Sequence, residues 1–156
     1  MYYITICTNG KEQIFGSIKN GKMILNNYGR IARRELINTA RIRTNVVLDV
    51  FIIMPDHIHS IIKINNLNIT SCRGMACHAH LSYNAYYIRK FGNPIKNSLS
   101  SIIGSFKSSV SREINKTRNT MDQTVWQRNY FEHIIRNEKE LYAVRKYIIN
   151  NPKNYK

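Results

Sequence analysis

Residues 46–54, VVLDVFIIM, form an almost uninterrupted apolar run that is rich in valine and isoleucine. A short run of this composition is typical of a β-strand whose two faces are both covered by other parts of the protein. We therefore predict a central strand here. Pro55 and Asp56 follow it and predict a tight turn, and residues 57–64 predict a strand that returns beside the first. The chain is expected to fold around this antiparallel pair.

Patterns elsewhere in the chain predict a mixed α+β domain. In order, they indicate a strand at 2–8, a hairpin at 14–25, a helix at 27–39, the strand pair, a helix at 99–114, a strand at 130–136 and a final helix that starts after Asn137. The final helix is expected to end near Asn151, because Pro152 disfavours helical geometry in the residue before it.

Without the hairpin and the final helix, this order is β-α-β-β-α-β, the arrangement of a ferredoxin-like fold. Such a fold has an antiparallel sheet with helices on one face, and its other face is expected to be open to a nucleic acid. We predict one domain over residues 1–156. Residues 65–97 are polar and long for a connection, and they are predicted to form an irregular loop.

Charge indicates the class of partner. The chain has 24 Lys and Arg against 9 Asp and Glu, a net charge of +15. A field of this sign attracts polyanions, so nucleic acid is the expected partner. A membrane surface is less favoured, since no segment reads as a strongly amphipathic basic helix and no apolar run is long enough to span a bilayer. The alternative is a basic protein whose charges are merely solvated.

The cysteines and the start of the chain favour the cytoplasm. The N-terminus has no signal-peptide pattern, and three cysteines do not suggest a disulfide framework. Cys72, Cys77, His78 and His80 lie close together, but their spacing matches none of the usual zinc patterns. A flexible loop near the nucleic acid is the preferred interpretation of this segment.

His57 and His59 are the most informative polar residues. Side chains alternate along a strand, so these two imidazoles point the same way and can hold one cation. Their place directly after a buried strand and a tight turn gives them the rigid backbone that a metal site needs. An H-x-H pair is also found in strands that bind nothing. The pair alone therefore leaves both interpretations open.

Tyr147 and Asn151 are four residues apart, so they lie on the same face of the final helix. From the spacing alone, Tyr147 is interpreted as an ordinary tyrosine that packs in the core, one of ten tyrosines in the chain. Asn151 has an equally ordinary interpretation, as a residue at the end of a helix before a proline.

Three blocks of the sequence resemble a known family. MPDHIHSII at 54–62 resembles the histidine–hydrophobic–histidine segment of the HUH endonucleases. VWQRNYFEHIIRNEK at 125–139 and YIINNP at 147–152 resemble stretches of REP-associated tyrosine transposases, relatives of the single-tyrosine transposases of small bacterial insertion sequences. The blocks occur in the family's order, and the resemblance runs from about Leu48 to the C-terminus.

The resemblance implies a metal-dependent, single-tyrosine transposase that cuts single-stranded DNA near hairpins. It implies that His57, His59 and Asn151 hold Mg²⁺ or Mn²⁺ and that Tyr147 forms a covalent 5′-phosphotyrosine. The ligand types alone leave Zn²⁺ open as well. The implied partner is single-stranded DNA with a hairpin. Relatives act as monomers or as dimers, so the oligomeric state is left open.

Candidate DNA contacts are basic and aromatic residues of the predicted helices and the last strand. They are Arg30, Arg33, Arg34, Lys107, Arg112, Arg128, Tyr130 and Arg136. For each of them a solvated surface residue is the alternative. Trp126 is suited to stack on an unpaired base, although packing in the core is slightly favoured.

Further polar residues near the predicted site have open roles. Asp56 is interpreted as a turn residue rather than a metal ligand. Glu132 and His133 are a second pair capable of binding a metal, but adjacent strand residues face opposite ways, so at most one of them reaches the site. A tyrosine hydroxyl has a pKa of about 10 and needs a base to become a nucleophile, and no residue is an evident base.

Two other functions remain open from the sequence. One is a domesticated relative that binds DNA or RNA hairpins without cutting them. The other is a small hydrolase in which the histidines hold a metal and water is the nucleophile.

Overall fold

The computed structural model describes residues 1–65, 97–120 and 122–155. Its elements are, in chain order, β1 (Tyr2–Cys7), β2 (Gly16–Lys19), β3 (Lys22–Leu25), α1 (Asn27–Arg41), β4 (Val46–Ile53), β5 (His57–Ile64), α2 (Leu99–Arg118), β6 (Phe131–Ile134) and α3 (Glu138–Asn154). The loop predicted over residues 65–97 lies almost entirely outside the described residues. Cys72, Cys77, His78 and His80 also lie outside them.

Four strands form one antiparallel sheet in the order β4-β5-β1-β6, and β2 and β3 form a separate hairpin. The predicted α+β class with an antiparallel sheet is therefore confirmed. In the middle of the sheet, β1 pairs with β5 on one side and with β6 on the other. The hairpin turns at Asn20 and Gly21, both of which have positive φ, as expected for a two-residue turn of this composition.

The prediction that residues 46–54 form a central strand is wrong in one respect, because β4 lies at the edge of the sheet. Both of its faces are nevertheless in contact with apolar residues. Leu48, Phe51 and Ile53 belong to one core cluster, while Val50 and Ile52 pack against the other. An apolar run indicates that both faces of a strand are covered. It does not indicate how many strands pair with that strand.

Helices lie on both faces of the sheet, so the expected open face is not fully open. The first core cluster joins Ile4 and Ile58 of the sheet to α1 and α2. The second joins Ile61 of the sheet to Leu141 and Ile148 of α3. The final helix thus covers part of the face that the ferredoxin-like pattern leaves exposed.

The two ends of α3 are set by different interactions. At its start, the Asn137 side chain accepts a hydrogen bond from the Glu140 N–H at 2.9 Å. The Glu140 carboxylate accepts one from the Arg136 N–H at 2.9 Å, a close variant of the predicted capping box.

At the other end of α3, the prediction that Pro152 stops the helix near Asn151 is wrong, since the helix continues to Asn154. Pro152 and Ile148 are both buried. The packing of this segment therefore outweighs the preference of the residue before a proline for extended geometry.

Ile148 and Ile149 provide a matched test of how α3 is held. Ile148 is fully buried, whereas Ile149 is 62% exposed. Ile148→Ala is expected to lower the free energy of unfolding by about 2–5 kcal/mol, and Ile149→Ala is expected to change it by less than about 0.5 kcal/mol. Urea unfolding followed by circular dichroism measures both. Equal losses in the two variants would show that α3 does not pack as described.

Candidate active site

His57 and His59 lie on one face of β5, as the alternation of strand side chains predicts. Their ring centroids are 4.6 Å apart. Ile58 between them is fully buried on the opposite face, in the core cluster with α1 and α2. The two imidazoles therefore stand side by side on the face that α3 covers.

His59 is held by two hydroxyl groups of β1. The Tyr3 hydroxyl and the Thr5 Oγ1 each lie 2.9 Å from His59 Nδ1. Both residues are on the sheet face of His59, because Thr5 pairs directly with it across the ladder. When Nδ1 carries the proton, it donates to these oxygens, and the lone pair of Nε2 is left for another partner.

That second nitrogen is the informative atom of the site. His59 Nε2 is buried and has no hydrogen-bond partner among the described residues, although buried polar atoms are nearly always paired. Burial, reinforced by the neighbouring His57, lowers the pKa of His59 to about 3. The imidazole is therefore neutral near pH 7, which is the form that binds a metal ion.

His57 is oriented by the residue that precedes it. Asp56 Oδ1 lies 2.6 Å from His57 Nδ1, so the carboxylate accepts a hydrogen bond from that nitrogen and leaves Nε2 available. A carboxylate behind a histidine commonly fixes the ring of a metal ligand. The interpretation of Asp56 as only a turn residue was therefore incomplete.

Three polar residues spaced four apart lie at this face, two of them on α3 and the third, Tyr155, just after its end. The Tyr147 ring centroid lies 5.4 Å from that of His59, and the Tyr155 ring centroid lies 6.3 Å from that of His57. Asn151 lies one turn after Tyr147 on the same stripe of α3, and it is 8% exposed. Tyr147 is 51% exposed.

The donor set fits a divalent cation. Among the described residues, no three His, Cys, Asp or Glu side chains come together as a metal-binding group. The candidate set is instead two imidazole nitrogens and the amide oxygen of Asn151, a mixture that suits Mn²⁺ or Mg²⁺. The unpaired Nε2 of His59 is the observation that supports this fit.

The structure brings few of the predicted DNA contacts to the histidines. Arg30, Arg33 and Arg34 are on α1, which packs on the opposite sheet face, and they line a cavity of about 630 Å³ beside β3. Arg34 also pairs with Glu35 and Glu113.

Two further basic residues lie on α2. Arg112 is exposed there and bonds Ser109. Lys107 donates hydrogen bonds to the carbonyl oxygens of Gln127 and Asn129, so its ammonium group holds a loop instead of projecting freely.

Arg128 and Tyr130 are the predicted contacts that lie near the site. They line a groove of about 410 Å³ whose wall includes Thr5, the residue bonded to His59. Burial and the nearby Glu132 raise the pKa of Tyr130 to about 12, so this tyrosine stays protonated. Arg136 is exposed just after β6.

The positions of Trp126 and His133 in the structure decide two alternatives that the sequence left open. Trp126 is 7% exposed and packs with Phe15 and Phe106 in the core, so core packing is confirmed. His133 lies across from Tyr3 and bonds Glu140 of α3. It therefore secures the start of α3 and makes no contact with the histidine pair.

Sequence reasoning missed Tyr3, Thr5 and Tyr155 as neighbours of the site. Alternation alone places Tyr3 and Thr5 on one face of β1. The missing information was the register, which sets Thr5 against His59. Tyr155 continues the spacing of Tyr147 and Asn151, and the expected stop at Pro152 concealed it.

Two solved structures are similar to this chain, to different degrees. The chain superposes on a REP-associated tyrosine transposase bound to a REP hairpin with a TM-score of 0.62 and 17% identity, over 99% of this chain and 67% of that one. A putative transposase from Deinococcus radiodurans R1 gives a TM-score of 0.48 and 12% identity, over 96% of this chain and 88% of the other. The first likeness establishes a shared fold.

The family model described as "Transposase IS200 like" matches residues 63–151, and the chain belongs to this family. The matched segment includes Tyr147 and Asn151 and begins after the two histidines. The chain is also 38% identical to an uncharacterized protein of Haemophilus influenzae over 151 residues, which is 97% of this chain and 79% of the relative. No helix within the described ranges is long and apolar enough to cross a membrane.

Proposed function

We propose that this transposase-family protein cuts and rejoins single-stranded DNA near hairpins through a covalent bond to Tyr147. The observation that carries the proposal is the position of Tyr147. Its ring lies 5.4 Å from that of His59, on the sheet face that also bears His57. The REP hairpin bound to the structural relative supports a DNA hairpin as the substrate.

His57, His59 and Asn151 are the residues that would hold a divalent cation, Mg²⁺ or Mn²⁺. When bound, the cation would bind an oxygen of the scissile phosphate and offset the negative charge of the transition state. The hydroxyls of Tyr3 and Thr5 and the carboxylate of Asp56 each bond an Nδ1 atom. They keep the two Nε2 atoms available.

Tyr147 supplies the nucleophile. Its Oη bonds to phosphorus while the bond from phosphorus to the 3′ oxygen breaks, which gives a 5′-phosphotyrosine and a 3′ hydroxyl. Tyr147 loses a proton in this step, and the leaving oxygen gains one. One phosphate ester replaces another, so attack by a 3′ hydroxyl reverses the step and joins strands without ATP.

A covalent adduct is the direct test of this proposal. The protein is incubated with Mn²⁺ and a panel of labelled single-stranded hairpins, and a labelled band that survives denaturing electrophoresis is expected. A domesticated hairpin-binding protein would shift the DNA in a native gel and leave no adduct. A hydrolase that uses water would cut the DNA, again without an adduct.

Salt dependence tests the kind of DNA that is bound. Because the chain carries a net charge of +15, binding should release counterions, and affinity for a hairpin should fall about 10³-fold or more between 50 and 200 mM salt. At any one salt concentration, a hairpin with unpaired flanks should bind more tightly than a perfect duplex of equal length. Fluorescence anisotropy titrations measure both. Tighter binding to the duplex would indicate an architectural role instead.

A further inference from the structure

We propose that the groove between β1 and the chain before β6 is a pocket for one unpaired DNA base, stacked on Phe131. This inference rests on the proposed function and locates part of its substrate. The groove has a volume of about 410 Å³, within the range of about 300–1,000 Å³ typical of ligand pockets. Its lining residues are Thr5, Cys7, Gln127, Arg128, Asn129, Tyr130 and Phe131.

The groove is lined by the two residues of β1 that pair with His59 and His57. Thr5 lines it and also lies 2.9 Å from His59 Nδ1. Cys7, another lining residue, pairs directly with His57 across the ladder. Since adjacent strands are about 4.8 Å apart, Phe131 on β6 lies roughly 10 Å from the histidines on β5. A base at Phe131 therefore belongs to a nucleotide close to the phosphate at the histidines.

Phe131 is placed to stack on a base rather than to fill the core. It is 58% exposed on an edge strand. Its partner in the ladder is Thr5, so its ring stands on the sheet face of the histidines. The edge of the Tyr3 ring supports it, with centroids 6.1 Å apart. Exposed aromatic rings beside a basic surface are the usual platform for single-stranded nucleic acid.

The far wall of the groove is held in place by hydrogen bonds to β1 and to Lys107 of α2. The Gln127 N–H donates to the Cys7 carbonyl at 3.0 Å. The half-buried ammonium of Lys107 donates to the Gln127 carbonyl at 2.9 Å and to that of Asn129. Asn129 has a left-handed backbone with φ of 65°. A short polar loop fixed by this many bonds is pre-organised, which lowers the entropic cost of binding.

The chemistry of the lining matches a nucleotide. Arg128 is exposed and can bind a phosphate, and none of the lining side chains is acidic. The amides of Gln127 and Asn129 offer both donors and acceptors to the edge of a base. Glu132, the nearest acidic residue along β6, contacts Tyr130 of the lining but does not line the groove itself.

Fluorescence of 2-aminopurine tests the pocket without any cutting. The base analogue is placed at one flank position at a time in a hairpin oligonucleotide, and the full chain is added in EDTA. We expect quenching by stacking at one position near the hairpin. Phe131→Ala should remove that quenching and weaken binding about tenfold or more, and Phe131→Trp should preserve both. Unchanged quenching in Phe131→Ala would overturn the proposal.

Two matched controls make the test specific. Tyr142 on α3 is 70% exposed and does not line the groove, so Tyr142→Ala should bind and quench normally. An equal loss in Tyr142→Ala would overturn the proposal. Arg128→Ala should lower the slope of log affinity against log salt by about 1, whereas Arg41→Ala, at an exposed position in the last turn of α1, should not. Equal slopes for these two variants would also contradict the proposal that the groove binds a nucleotide.

The adduct assay separates this inference from the proposed function. Site-specific quenching without an adduct in Mn²⁺ would reject cutting and leave the pocket in place. An adduct formed by a protein that quenches at no flank position would reject the pocket and leave cutting in place.

Discussion

Tyr147→Phe is expected to abolish both the covalent adduct and strand cleavage, while folding and DNA affinity stay close to normal. The change removes one hydroxyl group and keeps the ring that stands beside Tyr3 and His59. No other group at the site then occupies the nucleophile's place. Denaturing gels with labelled hairpins and Mn²⁺ measure adduct and cleavage, and anisotropy measures affinity. Raising the Mn²⁺ concentration should restore nothing.

Tyr155→Phe is the matched control for this result. Tyr155 follows the end of α3, with its ring centroid 6.3 Å from that of His57, so it is a rival nucleophile. The variant should still form the adduct. If Tyr147→Phe cuts at the normal rate, the mechanism is wrong. Loss of the adduct in Tyr155→Phe would then identify the rival tyrosine, whereas cleavage without an adduct in every variant would indicate a water-using hydrolase.

His57→Ala and His59→Ala are each expected to reduce cleavage by at least about 100-fold, because loss of even an outer-shell partner of a metal commonly costs about 10–100-fold in affinity or activity. A slight recovery of cleavage at a high Mn²⁺ concentration should distinguish these two variants from Tyr147→Phe. Asn151→Ala should be milder, since water can replace one oxygen ligand on a hard cation. Isothermal titration with Mn²⁺ in the absence of DNA should show weakened binding in all three variants.

His133→Ala is the corresponding control for the imidazoles. His133 is on the same sheet face but bonds Glu140, so its loss should leave Mn²⁺ binding and cleavage near normal. Circular dichroism verifies that each variant is folded, which matters for His59 because it bonds Tyr3 and Thr5. Normal cleavage by folded His57→Ala and His59→Ala would eliminate the metal site.

Local patterns predicted the parts of the molecule that depend on short spacing. The hairpin at Asn20 and Gly21, the N-terminal cap of α3 and the common face of His57 and His59 all follow from interactions within a few residues. The spacing of Tyr147 and Asn151 likewise placed both on one side of a helix. These features depend on local geometry, which strand and helix periods fix.

Features that depend on tertiary packing were not predictable in the same way. The apolar run of β4 indicated contact on two faces, yet its place at the edge follows from pairing between distant segments. The continuation of α3 past Pro152 depends on burial of that proline. Lys107 looks like any other lysine in the sequence, and only the folded chain shows that its ammonium group holds a loop. The register of β1 against β5 decided that Tyr3 and Thr5 support His59.

α3 folds back over the sheet of its own chain, so Tyr147 and the two histidines belong to one polypeptide. The consequence is genetic. In a cell that encodes two defective copies, one without Tyr147 and the other without His59, we therefore expect no product with a whole site and no complementation between the two lesions.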